Sequence, residues 1–349
     1  MDYPKSVPSV GLVGGKFVDE NPVAGTPGSL IPAQWGNAVS DEILNVITAA
    51  GLTPDEMNNA QLSAAIASII GSTRPIASQA EAETGTDNTK TMTPLRAQQA
   101  ISKRAAVVGS SRNVRMSVVV ASASATLTAD EVFVKSALGG TAWLVPSFNK
   151  TINLATTGAG GMDTGTAPVS GHVAIYAIYN PTTATAALLA VNATAAAQPE
   201  VYGGANMPAG YTASALVSVW GTNASGQLNI GAQFDRSVSM PNTIVLTTST
   251  VTGTAITPIV TAAFPRNAKS VSGNTTIAAT ALSSLSLAIY SSSVNVGQQV
   301  NNASVTGGSQ NVSAFNKVLV SVPQTIFYTT GQLSGSGQTY TVAITSYEF

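Results

Sequence analysis

Cysteine is absent from the 349 residues, which removes disulfides, thiolate metal sites and any cysteine nucleophile. Charge is scarce as well: 15 basic and 16 acidic side chains make 9% of the chain, against roughly 25% in an ordinary soluble protein. No cluster of Lys and Arg occurs, so a phosphate-neutralising, nucleic-acid-binding surface is disfavoured. Histidine occurs once, at His172, which excludes a histidine-rich metal site and any Ser-His-Asp triad elsewhere. No apolar run approaches the roughly 20 residues of a spanning helix, and membrane insertion is not expected. The opening Met1-Asp2-Tyr3-Pro4-Lys5 leads into Pro and Gly rather than an apolar h-region, so the expectation is synthesis in the cytoplasm without a secretion signal. Without disulfides, stability rests on packing or oligomerisation.

What is present is Ala and Val mixed with many Ser, Thr, Gly and Asn, a composition suited to short strands and polar turns. Charge divides the chain. Residues 1–104 hold 7 basic and 10 acidic residues, leaving 8 and 6 for the remaining 245. Residues 1–36 are punctuated by Pro and Gly, which forbids long helix, yet Phe17, Leu30, Ile31 and Trp35 are interleaved with the breakers. A disordered linker carries fewer apolar side chains, so this segment reads as an arm that orders by docking on another protein.

Helical period follows. Val39, Ile43, Val46, Ile47 and Ala50 form one stripe, with Asp41 and Glu42 placed early and Gly51 as a C-cap. Thr53-Pro54-Asp55-Glu56 reads as the start of a second helix through Leu62, Ile66, Ile69 and Ile70 to Gly71. Ser78-Gln79-Ala80-Glu81 is a capping box closed by Gly85, and Thr93-Pro94 opens a helix through Leu95, Gln98 and Ile101. Stripes this narrow suit parallel copies from neighbouring chains or, alternatively, a small intrachain bundle.

Beyond Arg115 the period becomes two. His172 to Tyr179 is apolar on both faces and is expected to be covered on both. Asn180-Pro181-Thr182-Thr183 and Asn223-Ala224-Ser225-Gly226 are turns, with return strands at Ala187–Val191, Ala215–Val219 and Leu228–Phe234. Met240-Pro241-Asn242 marks a boundary, after which Leu285/Leu287/Ile289, Val318/Val320/Val322 and Tyr340/Val342/Ile344 alternate, with Asn301-Asn302 and Thr306 to Asn311 read as turns. The fold class is therefore mainly β: an extended arm (1–36), short helices (37–110) and two antiparallel β-sandwich domains (111–240 and 241–349).

Pro4-Lys5-Ser6-Val7-Pro8 through Gly14-Gly15-Lys16-Phe17, then Pro32-Ala33-Gln34-Trp35-Gly36-Asn37-Ala38-Val39 and Glu42-Ile43-Leu44-Asn45-Val46-Ile47, resemble the N-terminal module of tail fibres of tailed bacteriophages and prophages. Ala77 to Glu83, Gly85 to Lys90 and Thr93-Pro94-Leu95-Arg96 are similar to a shaft module of those fibres. A looser likeness, to their β-structured domains, is carried by Ile178 to Thr183 and Pro208-Ala209-Gly210-Tyr211-Thr212. The resemblance covers about half of the chain, and the C-terminal third matches nothing in the family. It implies an elongated homotrimer in the virion, at the tail tip or baseplate. Its first 36 residues would attach to a tail or baseplate protein, residues 37–110 would form a stalk or collar, and the C-terminal tip would bind a bacterial surface receptor such as a pilus, an outer-membrane protein or lipopolysaccharide.

Phe17, Leu30, Ile31 and Trp35 are the expected attachment residues; Tyr290, Phe315 and Tyr328, with the polar Asn301, Asn302, Gln310 and Asn311, are the expected receptor contacts. Aromatics build both interface hot spots and sandwich cores, so for these three the core reading stays open. His172 reads as a structural residue within its strand, and the Gly-rich pieces lack the Lys-Ser/Thr of a phosphate loop. No cofactor, metal or catalytic residue is expected. The enzyme alternative is a tailspike glycan hydrolase, which needs two carboxylates about 5–9 Å apart. Its candidates after residue 104 are Asp130, Glu131, Asp163, Glu200, Asp235 and Glu348, and the one adjacent pair points to opposite strand faces. A non-phage surface adhesin is the other alternative.

Overall fold

A computed structural model describes residues 3–104 and 107–349. They form two compact units, Met1–Ala100 and Ile101–Phe349.

The first unit begins as extended chain with tight turns, such as the bridges Val13↔Lys16 and Asn21↔Thr26. Helices α1 (Ala33–Ala49), α2 (Gln61–Thr73) and α3 (Gln79–Thr84) follow, and the boundary between the units falls within α4 (Pro94–Arg104). Gly51 takes the left-handed conformation (φ 75°) beyond α1, as the C-cap reading requires. Asp41 and Glu42 do not sit early, because α1 starts eight residues before Asp41 at Ala33. The α2 expectation also needs correcting. Thr53 to Ala60 is not helical: Asp55 Oδ1 accepts from Met57 N at 2.9 Å, and Gln61 reaches back to Asp55 N and Thr53 O. These side-chain bonds satisfy the backbone in a turn and delay the helix to Gln61. The Ser78–Glu81 capping box is present, α3 ends on left-handed Gly85, and Lys90 pairs with Glu81.

The second unit is built of β1 (Ser111–Arg112), β2 (Arg115–Val118), β3 (Ser124–Lys135), β4 (Ala142–Asn153), β5 (His172–Asn180), β6 (Thr185–Asn192), β7 (Ala213–Gly221) and β8 (Gly231–Phe234), then β9 (Ser237–Thr248), β10 (Thr257–Val260), β11 (Ser270–Ala279), β12 (Ser283–Tyr290), β13 (Gln299–Val305), β14 (Ser309–Leu319), β15 (Thr325–Ser334) and β16 (Gln338–Glu348). The protein is mainly β. One large antiparallel sheet runs β14-β11-β16-β9-β8-β2-β3-β7-β5-β6, with β1 and β4 also on β3; a second sheet runs β10-β15-β12-β13.

Between β3 and β7 the large sheet is joined only at Lys135↔Ser214. There it folds over, so that β5 and β6 lie against β3 and β4. β5 is buried on both faces from His172 to Ile178, as its unbroken apolar run demands. In the C-terminal half β11 and β14 face β12 and β13 across the core, and Leu285, Leu287, Ile289, Tyr340, Val342 and Ile344 all point inward. One apolar cluster runs continuously from Val114 to Phe349.

No strand break occurs at Met240-Pro241-Asn242, where the sequence suggested a boundary. β9 passes through it, pairing with β8 before it and with β16 on both sides. Pro241 is tolerated because the ladder with β16 is irregular there, Ser239 pairing with Ser346 and Thr243 with Ile344. Arg236 ties the two halves together at this point. Its guanidinium binds the Glu200 carboxylate and the carbonyls of Leu216 (3.3 Å) and Phe349 (3.4 Å), and lies 5.3 Å from the Phe349 ring centroid.

Candidate functional site

The outer face of the second sheet carries an uncharged groove of about 470 Å³. Along β12 the apolar residues turn inward, which leaves Ser284 and Ser286 facing out. Across the ladder Asn302 pairs with Ser286, and Ser304 with Ser284. The groove exists because Gly331 has no side chain: a Cβ there would collide with the Ser286 hydroxyl. Gln332 and the fully exposed Leu333 complete the rim. Hydroxyls and amides beside one exposed leucine suit hydrogen bonding with apolar contact, and among the described residues no charged side chain lines the groove.

Of the expected receptor contacts, this face brings together only Asn302 with its serines. Asn301 is the adjacent strand residue and points the other way, into the core, where its amide donates to Thr275 O at 3.3 Å. The Asn301-Asn302 turn reading is corrected: both lie inside β13, whose ladder to β12 outweighs the turn preference of Asn. Gln310 and Asn311 are exposed at the start of β14, where the turn ends at Gly308.

The three aromatics are buried. Phe315 packs over Gly273, Tyr328 belongs to the main core, and Tyr290 forms a small cluster with Ala288, Phe327 and Ile256. The Tyr290 hydroxyl accepts from Gln298 (2.8 Å) and meets Thr329 Oγ1 at 3.1 Å. Their side chains are therefore core residues of the folded chain, which corrects their assignment as surface contacts.

In the first unit, Phe17 and Trp35 meet edge-to-face at 5.0 Å, and Tyr3 lies 5.5 Å from Phe17. Leu30 and Ile31 project into solvent, 69% and 65% exposed. The four attachment candidates thus divide into an aromatic cluster that shapes the arm and an apolar pair that is uncovered.

Of the six candidate carboxylates, all but Glu131 are engaged in structural contacts among the described residues. Asp130 accepts from Asn113, Asp163 from the Tyr202 hydroxyl (2.9 Å), Asp235 from Val114 N (3.0 Å), and Glu200 binds Arg236. Lys317 at 2.8 Å holds the Glu348 carboxyl below its usual range. Among the described residues no group of three or more His, Asp or Glu is arranged to hold a metal ion.

His172 is buried, and desolvation alone pulls its imidazole down to about 4. Its backbone N–H donates to Thr194 Oγ1 at 3.0 Å, which fixes the start of β5. No helix of the described residues is long and apolar enough to cross a membrane. Neither a protein-family profile nor a curated protein sequence matches the chain.

Proposed function

We propose that the chain is a tail fibre of a tailed bacteriophage or prophage. In this reading it is a homotrimer in the virion whose N-terminal arm attaches to the tail or baseplate, and whose β unit recognises a bacterial surface receptor. The observation that carries it is a contrast between the two units. The β unit buries a continuous core, whereas the buried hydrophobic residues among the described part of the first unit are only Val10, Ile47, Ala65, Ala77 and Ala82. Ile43, Leu44, Ile66 and Ile70 on α1 and α2 stay 39–59% exposed, and Leu30 and Ile31 on the arm are more exposed still. A helix pair this poorly covered gains stability by packing against copies of itself. It is also the part of the chain whose residues resemble fibre attachment and shaft modules.

The receptor-binding assignment rests on the groove at Asn302, Ser284, Ser286 and Ser304, whose uncharged polar lining suits weak contacts multiplied by three copies. The engagement of Asp130, Asp163, Glu200, Asp235 and Glu348 in structural contacts favours binding over hydrolysis. The test is competition. Purified full-length chain blocks adsorption of a phage bearing this fibre, and Asn302→Lys blocks it poorly while folding normally. Equal inhibition by both proteins removes the groove from the proposal, and no inhibition by either removes host recognition. Release of reducing sugar from purified envelope polysaccharide would decide for the tailspike hydrolase instead.

A further inference from the structure

A second concavity lies elsewhere in the β unit, bounded on one side by the ends of β5 and β7 and on the other by β9 and the segment 261–263. Its volume is about 480 Å³, within the roughly 300–1,000 Å³ of small-molecule sites. The first wall is polar, with His172, Thr222, Asn223 and Asn229 beside Trp220; the second is apolar, with Val238, Met240, Pro241, Ala262 and Ala263.

Two of the polar groups are uncommitted. His172 is 4% exposed, yet its ring makes no hydrogen bond among the described residues. Nor is either ring nitrogen among the polar atoms sealed from solvent without a partner, so the imidazole opens onto the cavity it lines. The side-chain amide of Asn229, at an exposed position, likewise makes no hydrogen bond among the described residues, whereas the Thr222 hydroxyl and the Asn223 side chain are taken up by Pro168 and Gln227. Both free groups converge over Gly221. The position a Cβ would occupy there lies 3.0 Å from Asn229 Nδ2 and 3.9 Å from His172 Cδ2. Gly221 therefore forms an open floor between a donor–acceptor ring and a donor–acceptor amide.

Among the described residues no Asp, Glu, Lys or Arg lines the cavity, so a charged ligand would be desolvated without a counter-charge. A purely apolar ligand would cover the imidazole and the amide without pairing either. A pyranose satisfies both walls, with a hydroxylated edge for His172 and Asn229 and a C–H face for Met240, Pro241 and the two alanines. We infer that this cavity binds a neutral saccharide unit, with the His172 imidazole and the Asn229 amide as its hydrogen-bonding groups. The inference concerns a site separate from the Asn302 groove, and it stands whether or not the chain is a fibre.

The experiment titrates the full-length protein, carrying 13C-labelled histidine, with the methyl glycosides of glucose, galactose, mannose and N-acetylglucosamine, and with glucuronate. Because His172 is the only histidine, one imidazole resonance reports occupancy. At least one neutral glycoside should shift it saturably and show saturation transfer, with glucuronate weaker. Ala262→Trp, at an exposed rim position that keeps the histidine, should lower the affinity by at least about tenfold. Asn302→Lys should leave it unchanged, separating this site from the groove. An imidazole resonance that ignores every neutral glycoside at tens of millimolar, or binding that survives Ala262→Trp, overturns the assignment and leaves a water-filled cavity.

Discussion

The sole histidine allows a buried ionisation to be measured without interference. Among the described residues His172 has no ionic partner, and its pKa falls from 6.5 to about 4 through desolvation. In the unfolded chain it returns to the ordinary value near 6.5. Between these limits the unfolded state holds a proton that the native state does not. Stability therefore rises with pH across the window and is lost on acidification from 6.5 towards 4. At about 1.4 kcal/mol per pH unit, the full loss is about 3 kcal/mol, most of it spent by pH 4.5. The direct assay follows the His172 imidazole carbon by NMR in native protein, where the expected midpoint is near 4. Its energetic counterpart compares urea unfolding of wild type and His172→Gln at pH 7 and pH 4.5, at fixed protein concentration because any subunit association is linked to folding. Wild type should lose about 2 kcal/mol more than the variant over that interval, since the carboxylates titrate alike in both. A native midpoint near 6.5, or equal losses in the two proteins, would refute the claim that burial keeps this imidazole neutral.

Other perturbations separate core from surface. Phe315→Ala should cost about 3–5 kcal/mol in chemical unfolding as a large-to-small core change, whereas Asn302→Lys, on the exposed face, should stay within about 0.5 kcal/mol. Gly273→Ala should destabilise by about 3 kcal/mol or more, because its Cβ meets the Ala343 carbonyl as well as the Phe315 ring at 2.8 Å; thermal unfolding will show whether the β11–β16 bulge can relax instead. Arg236→Met should cost about 2 kcal/mol through the lost bonds to Glu200, Leu216 and Phe349, and a double-mutant cycle with Glu200→Gln should recover only part of it, since the two carbonyl bonds do not involve Glu200. Sedimentation should find the mass of three chains, with Ile66→Ser/Ile70→Ser shifting the distribution towards smaller species; a stable wild-type monomer would end the fibre proposal.

Local chemistry was legible wherever one side chain decides a boundary. Ser78 and Glu81 make the reciprocal bonds that their spacing announces, and Thr93 Oγ1 accepts from Arg96 N at 3.3 Å to open α4. The Asn180 and Asn223 turns were readable for the same reason, since each carboxamide oxygen accepts from backbone N–H groups two and three or four residues on. The same logic failed at Thr53-Pro54-Asp55-Glu56, where the capping residues are present but Gln61, from beyond the motif, holds the segment in a turn. It failed again at Asn301-Asn302, because pairing with β12 is a tertiary fact and Asn is equally suited to a turn.

The candidate sites fared worse, for a related reason. Alternation places Leu285, Leu287 and Ile289 in the core and so puts Tyr290 on the opposite, outward face, which makes it look available. It is covered instead by Ile256 and by Gln298, and no periodicity within β12 records that covering. The Asn302 groove depends on the missing side chain of Gly331, 29 residues away in sequence. The His172 cavity is more distributed still, drawing on residues 172, 221, 229, 240 and 262. Its one sequence signal was a polar residue at the head of an otherwise apolar strand, and a structural histidine has the same signature. What distinguishes the two is whether the ring is bonded, and that is settled by which residues the 261–263 segment and β9 bring opposite it. A concavity assembled by long-range pairing leaves its trace in unpaired polar atoms, so the hydrogen-bond inventory of His172 and Asn229 locates the site where sequence patterning does not.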